Sequence, residues 1–182
     1  MARSSDDSML TIRKATEKDF PKLVEIMDRS ADKEELTGYT PPKKVTRNFL
    51  AQLTRQLGLT EHGVFIAESH QKPVGFVYLV QENDFFEIEE LDVVKEHQMQ
   101  GIGKILVNVA ERFARNKGAA SISTGTAINS KGKPWKAYEF WVHMGYRDTG
   151  ERTDSAHGLI YCKFVKRIRQ AQQRRTRTRQ QL

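Results

Sequence analysis

Hydrophobic and polar positions change period repeatedly along this chain, and each change marks an element. Leu10-Thr11-Ile12-Arg13 alternates as a strand. Thr16-Glu17-Lys18-Asp19 then opens a helix whose apolar positions Phe20, Leu23, Val24, Ile26 and Met27 keep to one side. Ser30 to Thr40 is a polar loop, and Pro41-Pro42 restarts a helix carrying Val45, Phe49, Leu50, Leu53 and Leu57 up to Gly58. Val64 to Glu68 and Pro73 to Val80 read as strands joined by the turn Ser69-His70-Gln71-Lys72, and Phe85 to Val94 as the next strand. Ile102, Ile105, Leu106, Val109, Ala110 and Phe113 recur at helical spacing, with Arg112, Arg115 and Lys117 near the end and Gly118 as the stop. Ser121 to Ala127 is a strand and Asn129 to Lys133 a loop. A helix from Pro134 then lines up Trp135, Tyr138, Trp141 and Met144 before Gly145. Tyr146 to Arg152 and Leu159 to Val165 finish as strands. The order is β-α-α-β-β-β-α-β-α-β-β, one α/β (α+β) domain over about residues 10–165, with a flexible segment 1–9 and a basic tail 166–182.

The most informative stretch is Gln98-Met99-Gln100-Gly101-Ile102-Gly103-Lys104, between a strand and a helix N-terminus. Such a junction suits a phosphate-bearing ligand, because the first helical N–H groups lack acceptors and the helix dipole favours an anion. Gly101 and Gly103 carry no Cβ, so the backbone can tighten and approach a pyrophosphate. A P-loop requires Gly, four residues, then Gly-Lys-Ser/Thr, and here Gly103-Lys104 is followed by Ile105. A dinucleotide-binding turn requires a third glycine where Leu106 stands. The pattern Gln/Arg-x-x-Gly-x-Gly/Ala is met in full from Gln98 to Gly103.

With Glu87-Ile88-Glu89-Glu90-Leu91-Asp92-Val93 leading into it, this motif resembles that of the GNAT superfamily of acyl-CoA-dependent N-acyltransferases. The resemblance implies a mixed, mostly antiparallel sheet of about seven strands with about four helices. It implies acetyl-CoA as acyl donor, its pyrophosphate on the amides of Gln98 to Lys104. Its pantetheine arm would pair with the backbone of Leu91, Asp92 and Val93, where the strands from Phe85 and Ser121 splay apart. The implied reaction is acetyl transfer to a primary amine by direct attack in a ternary complex, in a monomer or homodimer.

That chemistry needs a group to take the ammonium proton and a route for the thiolate to leave. Four carboxylates lie on one strand, and period-2 geometry puts Glu87 and Glu89 on one face, Glu90 and Asp92 on the other. Acidic strand residues are usually solvated, yet carboxylates in mid-sheet are costly unless a cation meets them. Glu87 stands where the histone-acetyltransferase branch carries its general base, with Glu89 or Glu90 as alternatives. Many relatives place a tyrosine four residues before the helix-ending Gly-Phe/Tyr; here that position is Trp141, whose indole donates a hydrogen bond but not a proton near neutral pH. Tyr138, one turn earlier, can substitute as the acid, or both are core aromatics. The usual asparagine near this helix start is replaced by Pro134, with Asn129 a stand-in on the cofactor.

Charge changes the picture only at the C-terminus. The net charge is +7, but eight of the basic side chains lie in residues 163–182 with no acid, leaving 22 basic against 23 acidic side chains before them. A competing reading is therefore a CoA-binding or inactive module of this fold whose basic tail contacts RNA, DNA or the ribosome. The histidines at 62, 70, 97, 143 and 157 show no paired ligand spacing, so no metal is expected. A single cysteine, Cys162, excludes an intramolecular disulfide and fits a reducing cytoplasm; it reads as a small apolar residue of a terminal strand. No apolar run approaches the roughly 18 residues of a membrane helix, and Met1 to Ser8 lacks the apolar core of a signal peptide.

Overall fold

The structure is a computed structural model that describes residues 10–30, 62–128, 136–154 and 159–168. The helix expected after Pro41, Asn129, Pro134 and the residues after Ile168 lie outside these segments. Seven strands among the described residues, β1 (Leu10–Lys14), β2 (Gly63–Ser69), β3 (Lys72–Glu82), β4 (Phe85–Val93), β5 (Ser121–Ile128), β6 (Arg147–Asp154) and β7 (Ile160–Arg167), form one sheet. Its order is β1-β2-β3-β4-β5-β7-β6, and every pairing is antiparallel except β4 with β5. Three α-helices are described: α1 (Phe20–Arg29), α2 (Ile102–Asn116) and α3 (Lys136–His143). The mixed, mostly antiparallel sheet is as expected from the sequence.

Both faces of the sheet are covered. Every residue from Val74 to Val80 in β3 is buried, as a strand with packing on both sides requires. α1 lies against β3 and β4. α2 covers the opposite face, where the Phe113 ring meets Phe65 and Phe86 edge-on at 5.3 and 5.6 Å. α3 shares that second face, with Tyr138 edge-on to Phe164 of β7 at 4.9 Å.

Two features correct the reading of the sequence. The buried stripe of α2 is Ile102, Leu106, Val107, Ala110, Glu111 and Ala114, leaving Ile105 exposed. Glu111 is tolerated in that stripe because it is paired: Lys166 Nζ sits 2.8 Å from its Oε1 and donates to the Met144 carbonyl at 2.7 Å. The second correction follows from the first. Lys166 and Arg167, read as the first residues of the basic tail, belong to β7, which extends the strand expected from Leu159 to Val165. The packed body continues to Ile168, 2% exposed, whose N–H donates to the Ala120 carbonyl at 3.0 Å.

The far edge of the sheet is held by one arginine. Arg13 donates two hydrogen bonds of 2.8 Å to the Asp19 carboxylate and two more, of 3.1 and 2.8 Å, to Glu68, joining β1, β2 and the start of α1. Asp19 is buried and also accepts the Thr16 N–H at 2.9 Å. The Arg13 guanidinium holds both carboxylates below their usual range. A depressed carboxylate adds stability above its unfolded pKa and loses it as pH falls. Asp19→Asn should lower stability by about 2 kcal/mol at pH 7, and that deficit should shrink below about pH 4. Urea denaturation of both proteins across pH 2.5–7 measures it.

Candidate active site

Elementary ladder geometry sets the site. β4 and β5 pair over only four rungs, Phe85 with Ser121 through Ile88 with Thr124. β4 runs on to Val93, and β5 to Ile128, without further pairing to each other. At the last rung the Thr124 hydroxyl donates to the Ile88 carbonyl at 3.1 Å, replacing the lost ladder bond with a side chain. Beyond it the facing edges of the two strands are left to accept something other than each other.

The β3–β4 register shows which carboxylates look where. Val80 faces Glu87, Tyr78 faces Glu90 and Phe76 faces Asp92, while Leu79 faces Ile88, so Glu89 is the extra residue of a β-bulge. The bulge shifts the alternation by one. Glu87, Glu90 and Asp92 therefore share the face opposite α2, against the even split expected from strict period-2 spacing. Asp92 is buried and accepts the Ser30 hydroxyl at 2.7 Å, which pins the end of α1 to the strand. Glu89 is exposed; desolvation, then the charges of Glu87 and Glu82, raise its pKa.

Glu87 borders an open pocket of about 230 Å³ on this face, beside the last rung of the β4–β5 ladder. Thr124 and Gly125 form its floor, and Glu151 and Thr153 of β6 with Tyr161 and Lys163 of β7 form its far wall. Partial burial raises the Glu87 carboxyl above the usual glutamate range, Lys163 pulls it down less, and Glu82 adds to the rise. A half-buried carboxylate beside the sheet opening can take a proton from a cationic amine.

The glycine loop lies at the other end of the opening. Gln98 Nε2 donates to the Val93 carbonyl at 2.9 Å, closing the loop onto the end of β4. Met99 and Gly101 both take left-handed backbone, with φ of 60° and 83°. Turns of this kind make successive N–H groups converge on an anion. The first-turn amides of α2 have no acceptor within the helix. Gly101 is its N-cap, and a Cβ there would meet nothing within 4 Å, so the space above the loop is open. Gly103 is not left-handed; a Cβ on it would touch the Phe140 ring of α3 at 3.6 Å, an ordinary contact. Ile102 points into the core, and Gln100 and Lys104 are exposed.

The structure therefore brings Glu87, the Leu91–Val93 edge and the Gln98–Lys104 loop to one opening. It does not bring Tyr138 there as a poised acid. The Tyr138 hydroxyl donates to Asp148 of β6 at 2.8 Å, and that hydrogen bond raises its pKa. Trp141 is 5% exposed, wedged between the rings of Phe140 and Tyr146, and so offers little surface to a ligand. Of the pocket residues that escaped the sequence reading, Glu151, Tyr161 and Lys163 carry its charges and its aromatic ring. Their signal is an aromatic and two charges in paired strands near the end of the chain, which becomes visible only once β7 is placed beside β5.

The sequence profile of the acetyltransferase (GNAT) family matches residues 29–146. The chain belongs to that family. It is 29% identical over 168 residues to an uncharacterized N-acetyltransferase of Methanocaldococcus jannaschii, covering 87% of this chain and 67% of the relative. It is 33% identical over 103 residues to human N-acetyltransferase 8, covering 51% of this chain and 43% of that protein. The chain thus spans two thirds of the archaeal relative's length and less than half of the human one's. The Vibrio cholerae spermidine N-acetyltransferase, solved with CoA and spermine, shares the fold with a TM-score of 0.68 at 16% identity, covering 87% of this chain and 95% of that one.

A β-branched side chain at φ of 83° is a genuine outlier, so Gly101→Val should distort this GNAT loop without touching the core. CoA affinity measured by calorimetry should fall at least about tenfold while circular dichroism stays unchanged. Wild-type affinity in the folded variant would remove the loop from the phosphate site.

Proposed function

We propose that this GNAT chain is an acetyl-CoA-dependent N-acetyltransferase that acts on a primary amine by direct attack in a ternary complex. The observation that carries this reading is the early end of the β4–β5 ladder, with a desolvated carboxylate on one side and an amide-lined loop at its mouth. The donor set fits the acyl carrier. Amides from Gln98 to Lys104 suit a pyrophosphate, and the β4 edge at Leu91 to Val93 offers backbone groups to an extended arm with amides of its own. Acetyl-CoA, when bound, supplies the thioester whose acetyl group the amine takes.

The chain's own residues do the rest. Glu87 takes the proton that the acceptor must lose before its lone pair can attack, and its raised pKa brings it nearer the amine's. The new C–N bond forms as the C–S bond breaks, and the sulfur leaves as a thiolate. A thiol of ordinary pKa, near 8.5, is a competent leaving group at neutral pH and takes its proton from water. That suits a site in which Tyr138 is engaged with Asp148. The ladder bond from Thr124 fixes the rung beside which Glu87 stands.

A panel of primary amines with acetyl-CoA, read by free thiol release, tests the activity. Glu87→Gln should lower the maximal rate roughly a hundredfold, the scale of a general base. In the wild type the rate should fall as pH drops through the raised Glu87 pKa, because the protonated carboxyl cannot accept; the variant should lose that acidic limb. A variant with the wild-type rate and profile hands the role to Glu89, Glu90 or water.

A further inference from the structure

The pocket beside Glu87 holds a cation as well as carboxylates, which is unexpected in a site that must receive an ammonium. Lys163 lines the same wall as Tyr161 and reaches into the field of Glu87. Its Nζ lies 3.8 Å from Glu151, whose side chain is 66% exposed, and 6.0 Å from the centre of the Phe85 ring. An ion pair that long and that solvated contributes little. Among the described residues the Lys163 ammonium makes no hydrogen bond, so its three donors remain for a ligand.

Register places Lys163 with respect to Glu87. Glu87 pairs with Ser123 and Lys163 with Gly125, two residues further along β5, so both side chains rise from one face with β5 between them. Two strand spacings across and two residues along put their Cα atoms about 12 Å apart, a gap that the two long side chains narrow. An α-amino acid with a hydrogen bond of about 2.8 Å at each end spans roughly 9 Å. The Tyr161 ring, half exposed, lies over Gly125 so closely that a Cβ there would overlap it, making a flat apolar wall beside that gap.

Building on the acetyltransferase reading above, we propose that the acceptor is an amine bearing a carboxylate on the adjacent carbon. Its nitrogen meets Glu87, its carboxylate meets Lys163, and its apolar side chain lies on Tyr161. Linear polyamines are disfavoured, because a second ammonium would meet Lys163 with like charge.

The test compares phenylalanine, phenethylamine, which lacks only the carboxylate, and spermidine, by calorimetry on the CoA-saturated protein. Phenylalanine should bind about tenfold or more tighter than phenethylamine, the scale of one charge-assisted pair, with spermidine weakest. Lys163→Gln should erase that preference while CoA affinity stays as in the wild type. Phenethylamine or spermidine binding as tightly as phenylalanine overturns the proposal, as does a preference that survives in the variant or phenylalanine that does not bind. Thiol release with phenethylamine reports on acetyl transfer separately, so failure of the charge preference leaves the activity standing.

Discussion

The structure depends on a parallel ladder that stops after four rungs. In a continuous sheet the inner strands satisfy each other's amides and carbonyls, and an unpaired buried group costs about 1–3 kcal/mol. β4 and β5 give up that satisfaction from Glu89 and Gly125 onward. The break is kept local by devices on either side. The Thr124 hydroxyl closes the last rung, Gln98 caps the Val93 carbonyl, and Ser30 pins Asp92. On its other edge β4 is paired with β3 from Phe85 to Val93 except at the Glu89 bulge. The unpaired edge of β4 is therefore held in place from both sides, as a strand edge that accepted an extended ligand arm would have to be.

Most of the fold was legible because its elements obey simple periods. The α2 boundaries follow from the apolar repeat and from Gly118, which takes the left-handed stop at φ of 87°. β3 declared itself as an unbroken apolar run, the mark of a strand covered on both faces. The turn of the glycine loop was legible for a different reason: it is local, confined to seven consecutive residues.

The features that were not legible all require two strands to be set side by side. Strict alternation assigns Glu90 and Asp92 to the wrong face because a bulge is a property of the β3–β4 pair, not of β4 alone. Ile105 reads as core until Glu111 is seen to be neutralised from β7. Lys163 and Lys166 count toward a basic C-terminus when charge is summed along the sequence, since charge is additive while its partners are not. One lysine then becomes a half-buried strut and the other lines the pocket beside Glu87.

The same register argues against a route through an acyl-cysteine. A thiol relay would need Cys162 accessible, ionisable and near the base. Cys162 is fully buried in β7, and that burial pushes its thiol pKa up. It pairs with Thr126, one residue out of phase with Gly125 and Lys163, so its side chain belongs to the face of α2 and α3. Glu87 stands on the opposite face, and the sheet separates the two groups. The β4–β5 opening is where a donor held at the glycine loop and an acceptor held beside Glu87 can meet without crossing backbone. Cys162 lies on the wrong side of that opening for such a relay, whereas an amine entering from the pocket would arrive beside Glu87.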